Sequence, residues 1–374
     1  MAVIGKGLSC DAEPVLNIAS TVTAGERRHD VDWLRVLALG LLMIYHTMVS
    51  FQPWAILIFF IQNEQSLEWM WVFMAAINVW RIPILFMISG MGVRFAMERR
   101  DWKQILKDRT IRILLPLVFG FFFICPISVF VAAKYYGKEI AYIPNAGHLW
   151  FLANIFLYVL VLLPLMIHLR KRPDGIVLRF LSRVLSWPMG LYLVALPVMV
   201  EAWLVDPEFF PTYAMTPHGF WLGMICFFTG FVFISLNEVF WQSVERFRWG
   251  ALATAFFFYM VRLVVFQLKD VPNLLIAFES MNWMLAIFGY ASMYLNKPSD
   301  RLGYLSKAVF PVYIIHLPAQ FCISYYLLPL PLPAFLKLFL LLASTLGLSL
   351  VIYEFVVRRL KWVQPLFGMK VSPG

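Results

Sequence analysis

An arginine and a histidine eleven residues apart stand out first. Arg35 and His46 share the first long apolar stretch, which reads Asp32-Trp33-Leu34-Arg35 and runs on to Tyr45-His46. At 3.6 residues per turn that spacing is about three whole turns, so both side chains fall on one helix face, ~16 Å apart along the axis. With Arg35 near one membrane surface, His46 is expected near mid-membrane. A buried imidazole stays neutral readily and can take a proton from a hydroxyl. The plainer alternative is that Arg35 snorkels to lipid headgroups and His46 only bonds a neighbouring helix. Asp32, one turn from Arg35, is placed to orient it and is too far along the helix to orient His46.

Other chemistry-bearing residues sit at span ends or within spans. Ionisable groups there are costly and are functional candidates by default. Arg109 and Arg112 fall in a stretch, 94–112, that holds seven Lys/Arg, so topology alone could account for them. Arg81 begins the second span from the opposite side; it either faces a mouth there or pairs with an acid such as Asp206 or Glu201. His148 and Trp150 open the fourth span. An imidazole and an indole at a mouth suit sugar stacking and hydroxyl hydrogen bonds, and equally an aromatic belt. Glu201 could face a polar substrate. Glu279 and Glu354 are in-span acids that could neutralise Arg262 or Arg81. His29, His168 and His218 lie in or near loops. Cys10, Cys125, Cys226 and Cys322 are scattered, without CxxC or metal-like spacing, so neither a disulfide framework nor a metal site is expected. No Ser-His-acid pattern and no cysteine beside a base is visible, which argues against a covalent intermediate.

Those residues need a scaffold, and composition names it. The chain has 374 residues, 61% apolar and 14% charged, with a mean hydropathy of +0.77. A soluble domain carries about 25% charged residues. So much apolar surface must face lipid. About ten apolar spans are expected, near 33–60, 70–97, 110–133, 148–167, 187–205, 218–236, 249–268, 273–295, 308–328 and 334–357. The span at 249–268 is the weakest, because Arg262 lies inside it. Alternate connections hold 24 and 3 Lys/Arg, a bias that predicts an even number of crossings with both termini cytoplasmic. The fold class is therefore an all-α integral membrane bundle: a polar segment 1–30, a transmembrane domain 31–360 and a short tail 361–374. Residues 1–30 lack an apolar core, so no secretory signal is expected. The net charge of +10 resides in short loops, which favours topology and anionic-lipid contact over nucleic acid. Proline inside or at the ends of spans (Pro53, Pro83, Pro116, Pro126, Pro164) marks helix breaks that line cavities or are packed by neighbours.

Six motifs in order give a resemblance. Arg35-x10-His46; Arg81-x-Pro83 with Phe86-x-Ile88-Ser89-Gly90; Arg109-x-x-Arg112 with Leu114-Leu115-Pro116; His148-Leu149-Trp150-Phe151-Leu152; Val312-Tyr313-Ile314-Ile315-His316 with Tyr353-Glu354; and the closing Leu366-Phe367-Gly368-Met369-Lys370 together resemble membrane acyltransferase family 3. The fourth and last look most like its glucan-modifying succinyltransferase branch. The resemblance implies a cytoplasmic acyl-CoA donor, acetyl-CoA or succinyl-CoA, and a glycan or glycoside acceptor across a bacterial inner membrane. It implies His46 as the essential histidine and Arg35 as its partner. It makes Arg81, Arg109 and Arg112 candidates for the donor, whose phosphates arginine binds well. His148, Trp150 and Glu201 become acceptor candidates, and His316 matches without a role of its own. Family members often carry a further soluble domain; this chain ends at Gly374 without one, so it is expected to act alone or with a partner. A transporter or permease is the alternative class, since in-span charges and broken helices suit it, although no two-fold repeat is visible.

Overall fold

A computed structural model describes residues 27–139, 141–187 and 189–370. Among these the secondary structure is helical, and nine helices are long and apolar enough to cross a membrane. They are α1 (His29–Val49), α2 (Glu68–Arg99), α3 (Trp102–Tyr135), α4 (Gly147–Lys171), α7 (Pro217–Leu236), α8 (Glu238–Val264), α9 (Asn273–Leu295), α10 (Asp300–Leu327) and α11 (Ala334–Val357). Two shorter ones intervene: amphipathic α5 (Ile176–Ser186) and α6 (Gly190–Val205).

The expected span at 187–205 is thus α6, shorter than its neighbours and broken near Val194–Ala195. Pro197 begins its second piece and has no N–H to continue the ladder. The segment nevertheless climbs from one end of the bundle to the other. Leu185, just before it, accepts from Ser243 near the start of α8; Tyr192 bonds Thr254 midway; Asp206, just after it, accepts from Asn273 at the start of α9. Counting α6, the two described ends of the chain lie at one end of the bundle, hereafter the basic face. His29 bonds Asn296, and Phe367 packs on Phe119.

Three sequence boundaries move. The first helix ends at Val49 rather than near 60. Beyond it, residues 50–70 fold into a cap over the opposite face, tied down by Asn63 N–H to Ser50 O at 2.8 Å and Leu67 N–H to Phe51 O at 2.8 Å. The basic connection 94–112 shrinks to two residues, because α2 runs to Arg99 and Asp101 caps α3 through a reciprocal pair with Gln104. Residues 238–248 are the first turns of α8 rather than a loop. The polar segment 1–30 and the tail 361–374 lie partly outside the described residues; of the tail, Phe367 and Gly368 fold back against Phe119 and Phe310.

Burial sorts the helices. α9 and α10 are the most enclosed, α8 and α11 the least, and the latter two show lipid side chains such as Phe257 and Phe339. Small residues set the closest contact. A Cβ on Gly90 of α2 would sit 1.8 Å from Phe227 O, and one on Gly230 of α7 would sit 2.0 Å from Met87 O. Each helix thus presents a glycine to the other's backbone, as close packing in lipid requires. Arg262 is tolerated in α8 because Glu279 of α9 receives it on two 2.9 Å bonds. Breaking such a buried pair costs roughly 3–5 kcal/mol.

Candidate active site

Helix α1 carries Arg35 and His46 on one face, as their spacing predicts, but delivers them to different places. Arg35 lies towards the basic face with Asp32 at 3.4 Å. His46 falls in the last turn of α1, three residues before the helix stops. The cap folds over it, and the Phe60 ring stands 5.9 Å from the imidazole.

His46 is held by His316. Its Nδ1 lies 3.0 Å from His316 Nε2, with the two rings within 2° of parallel. His316 in turn points Nδ1 at the Tyr313 carbonyl, 2.7 Å away. A carbonyl only accepts, so His316 Nδ1 carries the proton and its Nε2 is the acceptor. His46 must then donate from Nδ1, which leaves Nε2 as a bare lone pair. That nitrogen makes no hydrogen bond among the described residues. Gln320 fixes the helix end by donating to the His46 carbonyl at 2.8 Å.

Proline supplies the acceptors. Pro318 of α10 has no N–H, so the carbonyl four residues back, Ile314, loses its helical partner. His148 Nε2 fills the gap, at 3.2 Å from Ile314 O and 3.0 Å from Tyr313 O. The Tyr313 hydroxyl donates back to the His148 carbonyl. The same logic recurs at Pro83. It frees Val79 O, which accepts from the Tyr213 hydroxyl at 3.0 Å and from Ser280 at 2.8 Å. Pro126 frees Phe122 O for Tyr142, at 2.7 Å. Each break is a joint to another helix or loop.

Beside His46 lies Arg81. Its guanidinium stacks over the Tyr45 ring at 3.6 Å, and Nη2 donates to Asn78 Oδ1 at 3.2 Å. It pairs with neither acid considered from sequence. Glu201 receives His218 Nδ1 at 2.9 Å and Asp206 receives Asn273.

These groups border a cavity of about 930 Å³. His46, Arg81, His148, Trp150 and Tyr213 line it. So do Trp54 of the cap, Thr212 between α6 and α7, and Leu268 between α8 and α9, so it opens towards the face opposite the basic one. Inward it reaches Leu42 and Leu85. Arg35 lies a further ~10 Å down α1, outside the lining.

The basic face has its own cluster. Arg109 donates to Gly92 O at 3.3 Å, Arg112 lies 3.5 Å from Asp108, and Arg100 lies 3.1 Å from the same acid. The Arg35 guanidinium approaches Gly92 as well. Arg35, Arg109 and Arg112 are therefore brought together, and Arg81, grouped with Arg109 and Arg112 from sequence, stands apart from them with His46.

Of the acceptor candidates, His148 and Trp150 border the cavity, whereas Glu201 is buried behind its wall with His218. Glu279 neutralises Arg262, and Glu354 bonds Arg358 and Tyr304 near the basic face. Cys125 comes within 4.0 Å of His148 Nδ1, a neighbour the linear sequence does not show, but its Sγ–H is committed to Ala146 O at 3.2 Å. The roles of His316 and Tyr45 beside the cavity are contacts between helices that the linear sequence does not show, and Asn78 joins them through Arg81, one turn along its own helix. The available signal was a histidine within an apolar span two residues before Pro318.

Such a bundle, with polar groups gathered inside it, is an integral membrane protein. A family model described as an acyltransferase domain matches residues 28–354, and the chain belongs to membrane acyltransferase family 3. It is thus an acyltransferase. No curated protein and no solved structure matches it.

Proposed function

We propose that the protein moves an acyl group, acetyl or succinyl, from cytoplasmic acyl-CoA to a hydroxyl of a glycan or glycoside. His46 is the general base. The observation that carries this reading is the His46–His316 pair, 3.0 Å between ring nitrogens, at the wall of a cavity large enough for a sugar; the pairing leaves His46 Nε2 as the free base. On this reading the acceptor comes through the cavity mouth, against Trp150 and His148. The donor binds from the basic face, its phosphates against Arg35, Arg109 and Arg112. The ~16 Å from Arg35 to His46 suits the length of a pantetheine arm, which has to part the apolar contacts between Arg35 and Leu42.

His46 Nε2 accepts the hydroxyl proton as the oxygen attacks the thioester carbonyl. The tetrahedral adduct collapses, the C–S bond breaks, and the proton on His46 passes to the departing thiolate. The His46 Nδ1–H to His316 bond spreads the imidazolium charge while it exists. Transfer is direct, since the Cys125 thiol is bonded to a carbonyl. The positive-inside bias supports cytoplasmic termini, and the resemblance supports a bacterial inner membrane.

The test is donor consumption by purified protein in detergent, with acetyl-CoA and succinyl-CoA, with and without envelope glycan. Acceptor-dependent release of free thiol, matched by an ester on the glycan, is expected. Glycan flux in proteoliposomes without thioester cleavage would instead mark a permease.

A further inference from the structure

Arg262 and Arg81, both inside apolar spans, make an instructive pair. Both are about 5% exposed or less. Arg262 is neutralised: Nε and Nη2 bond the Glu279 carboxylate, and Nη2 also bonds Ala75 O. Arg81 is not. Its Nε and Nη1 have no hydrogen-bond partner, its one bond goes to a neutral amide, and no carboxylate forms an ion pair with it among the described residues. Its other support is the face of Tyr45, which attracts a cation without neutralising it. Of the other ionisable groups lining the cavity, His46 and His148 are histidines whose assigned protons leave them neutral, and Glu68 is exposed at the rim. The hydroxyl of Tyr213 is spent on the carbonyls of Asn78 and Val79.

A guanidinium held dry at the wall of a cavity, with N–H groups unanswered by any protein acceptor, is costly unless something anionic arrives. We propose that Arg81 receives a carboxylate carried by a substrate. The transferred acyl group then bears a second, free carboxylate, or the acceptor is an acidic sugar. This rests on the acyltransfer reading and narrows its substrate class. A carboxylate suits the site better than a phosphate, because a phosphate carries nearly two charges and no second Lys or Arg lines the cavity among the described residues. The phosphates of a donor bound at the basic face are too far away to be the partner, since Arg81 shares its cavity with His46 and not with Arg109.

Two measurements test it. The first needs no turnover: thermal unfolding in detergent at matched ionic strength, with succinate against succinamide and glucuronate against glucose. The wild type is expected to be stabilised by at least one anion over its neutral analogue, and Arg81→Met and Arg81→Gln to lose that difference. Equal effects of each anion and its neutral analogue on the wild type overturn the proposal, even if both variants fail to fold. The second is kinetic: succinyl-CoA against acetyl-CoA on a neutral acceptor, and an acidic against a neutral acceptor with acetyl-CoA. Wild type is expected to prefer one carboxylate-bearing substrate in kcat/KM by about 10–100-fold, the range of a charge-assisted bond. Arg81→Met should abolish the preference and Arg81→Lys should keep part of it. The arm that responds identifies the source. A variant that slows every substrate by the same factor would make Arg81 an oxyanion or structural residue and overturn the proposal. Absence of transfer with every donor would sink the acyltransfer reading while leaving the stability measurement to decide the anion site.

Discussion

The site turns on which nitrogen of each imidazole carries a proton, and the carbonyls decide that. The Tyr313 carbonyl fixes His316, and His316 fixes His46. His316 is therefore a positioning residue on this account. His316→Ala should lower kcat by about 10–100-fold, with KM for the acceptor nearly unchanged, up to the low end of what a general base contributes, because His46 itself remains. His316→Gln, whose amide oxygen can still accept from His46, should recover part of it. A fall carried mainly by KM would instead make His316 a binding residue. Much of this scale was legible in the sequence. His46 stood out because an ionisable side chain in an apolar span needs a reason. His316 had the same credential, but its reason is a contact across 270 residues, which no local pattern encodes. Glu201 misled for the converse reason. An in-span acid looks like a substrate ligand until a partner such as His218 is seen beside it.

At the scale of elements, the prolines do more than kink helices. Pro83, Pro126 and Pro318 each free a carbonyl that another element takes up, so these breaks are where the bundle is stitched together. The sequence showed that breaks exist and could not show which donor meets each one. Pro318→Ala tests the idea. It restores an N–H for Ile314 O and withdraws that acceptor from His148. The variant should be as stable as wild type or more so, yet transfer about 10-fold or more slowly, judged by thermal unfolding and kcat together; the estimate follows the cost of disturbing one buried hydrogen bond. Unchanged kcat would mean that His148 holds its place without the proline. Span ends were the weakest part of the sequence reading. Hydropathy continues past Val49 into Phe51 and Ile56, yet the backbone turns at Ser50 into a cap that buries Phe51 and leaves Ile56 exposed. Composition cannot tell a lipid-facing apolar residue from one folded over a cavity.

The whole molecule is polarised. One face gathers arginines around Asp108, and a cavity opens towards the other, with His46 close to its inner end. That arrangement suits a reaction whose two substrates approach from opposite sides. On the proposed reading, Arg35 and His46 share a helix face without touching because their spacing spans the distance between the donor and acceptor regions. Arg109→Ala with Arg112→Ala should therefore raise KM for the acyl-CoA donor about 10-fold or more, as expected for lost charge-assisted phosphate contacts, with little change in acceptor KM. The effect should shrink at high salt. A matching rise in acceptor KM would contradict the separation of the two regions.

The most direct measurement compares wild type with His46→Ala for glycan-dependent release of free thiol from acyl-CoA, with thermal unfolding run alongside to show that both are folded. A loss of at least about 100-fold in kcat is expected for the variant, the low end of what a general base contributes. A folded His46→Ala protein that turns over at the wild-type rate would contradict His46 as the base.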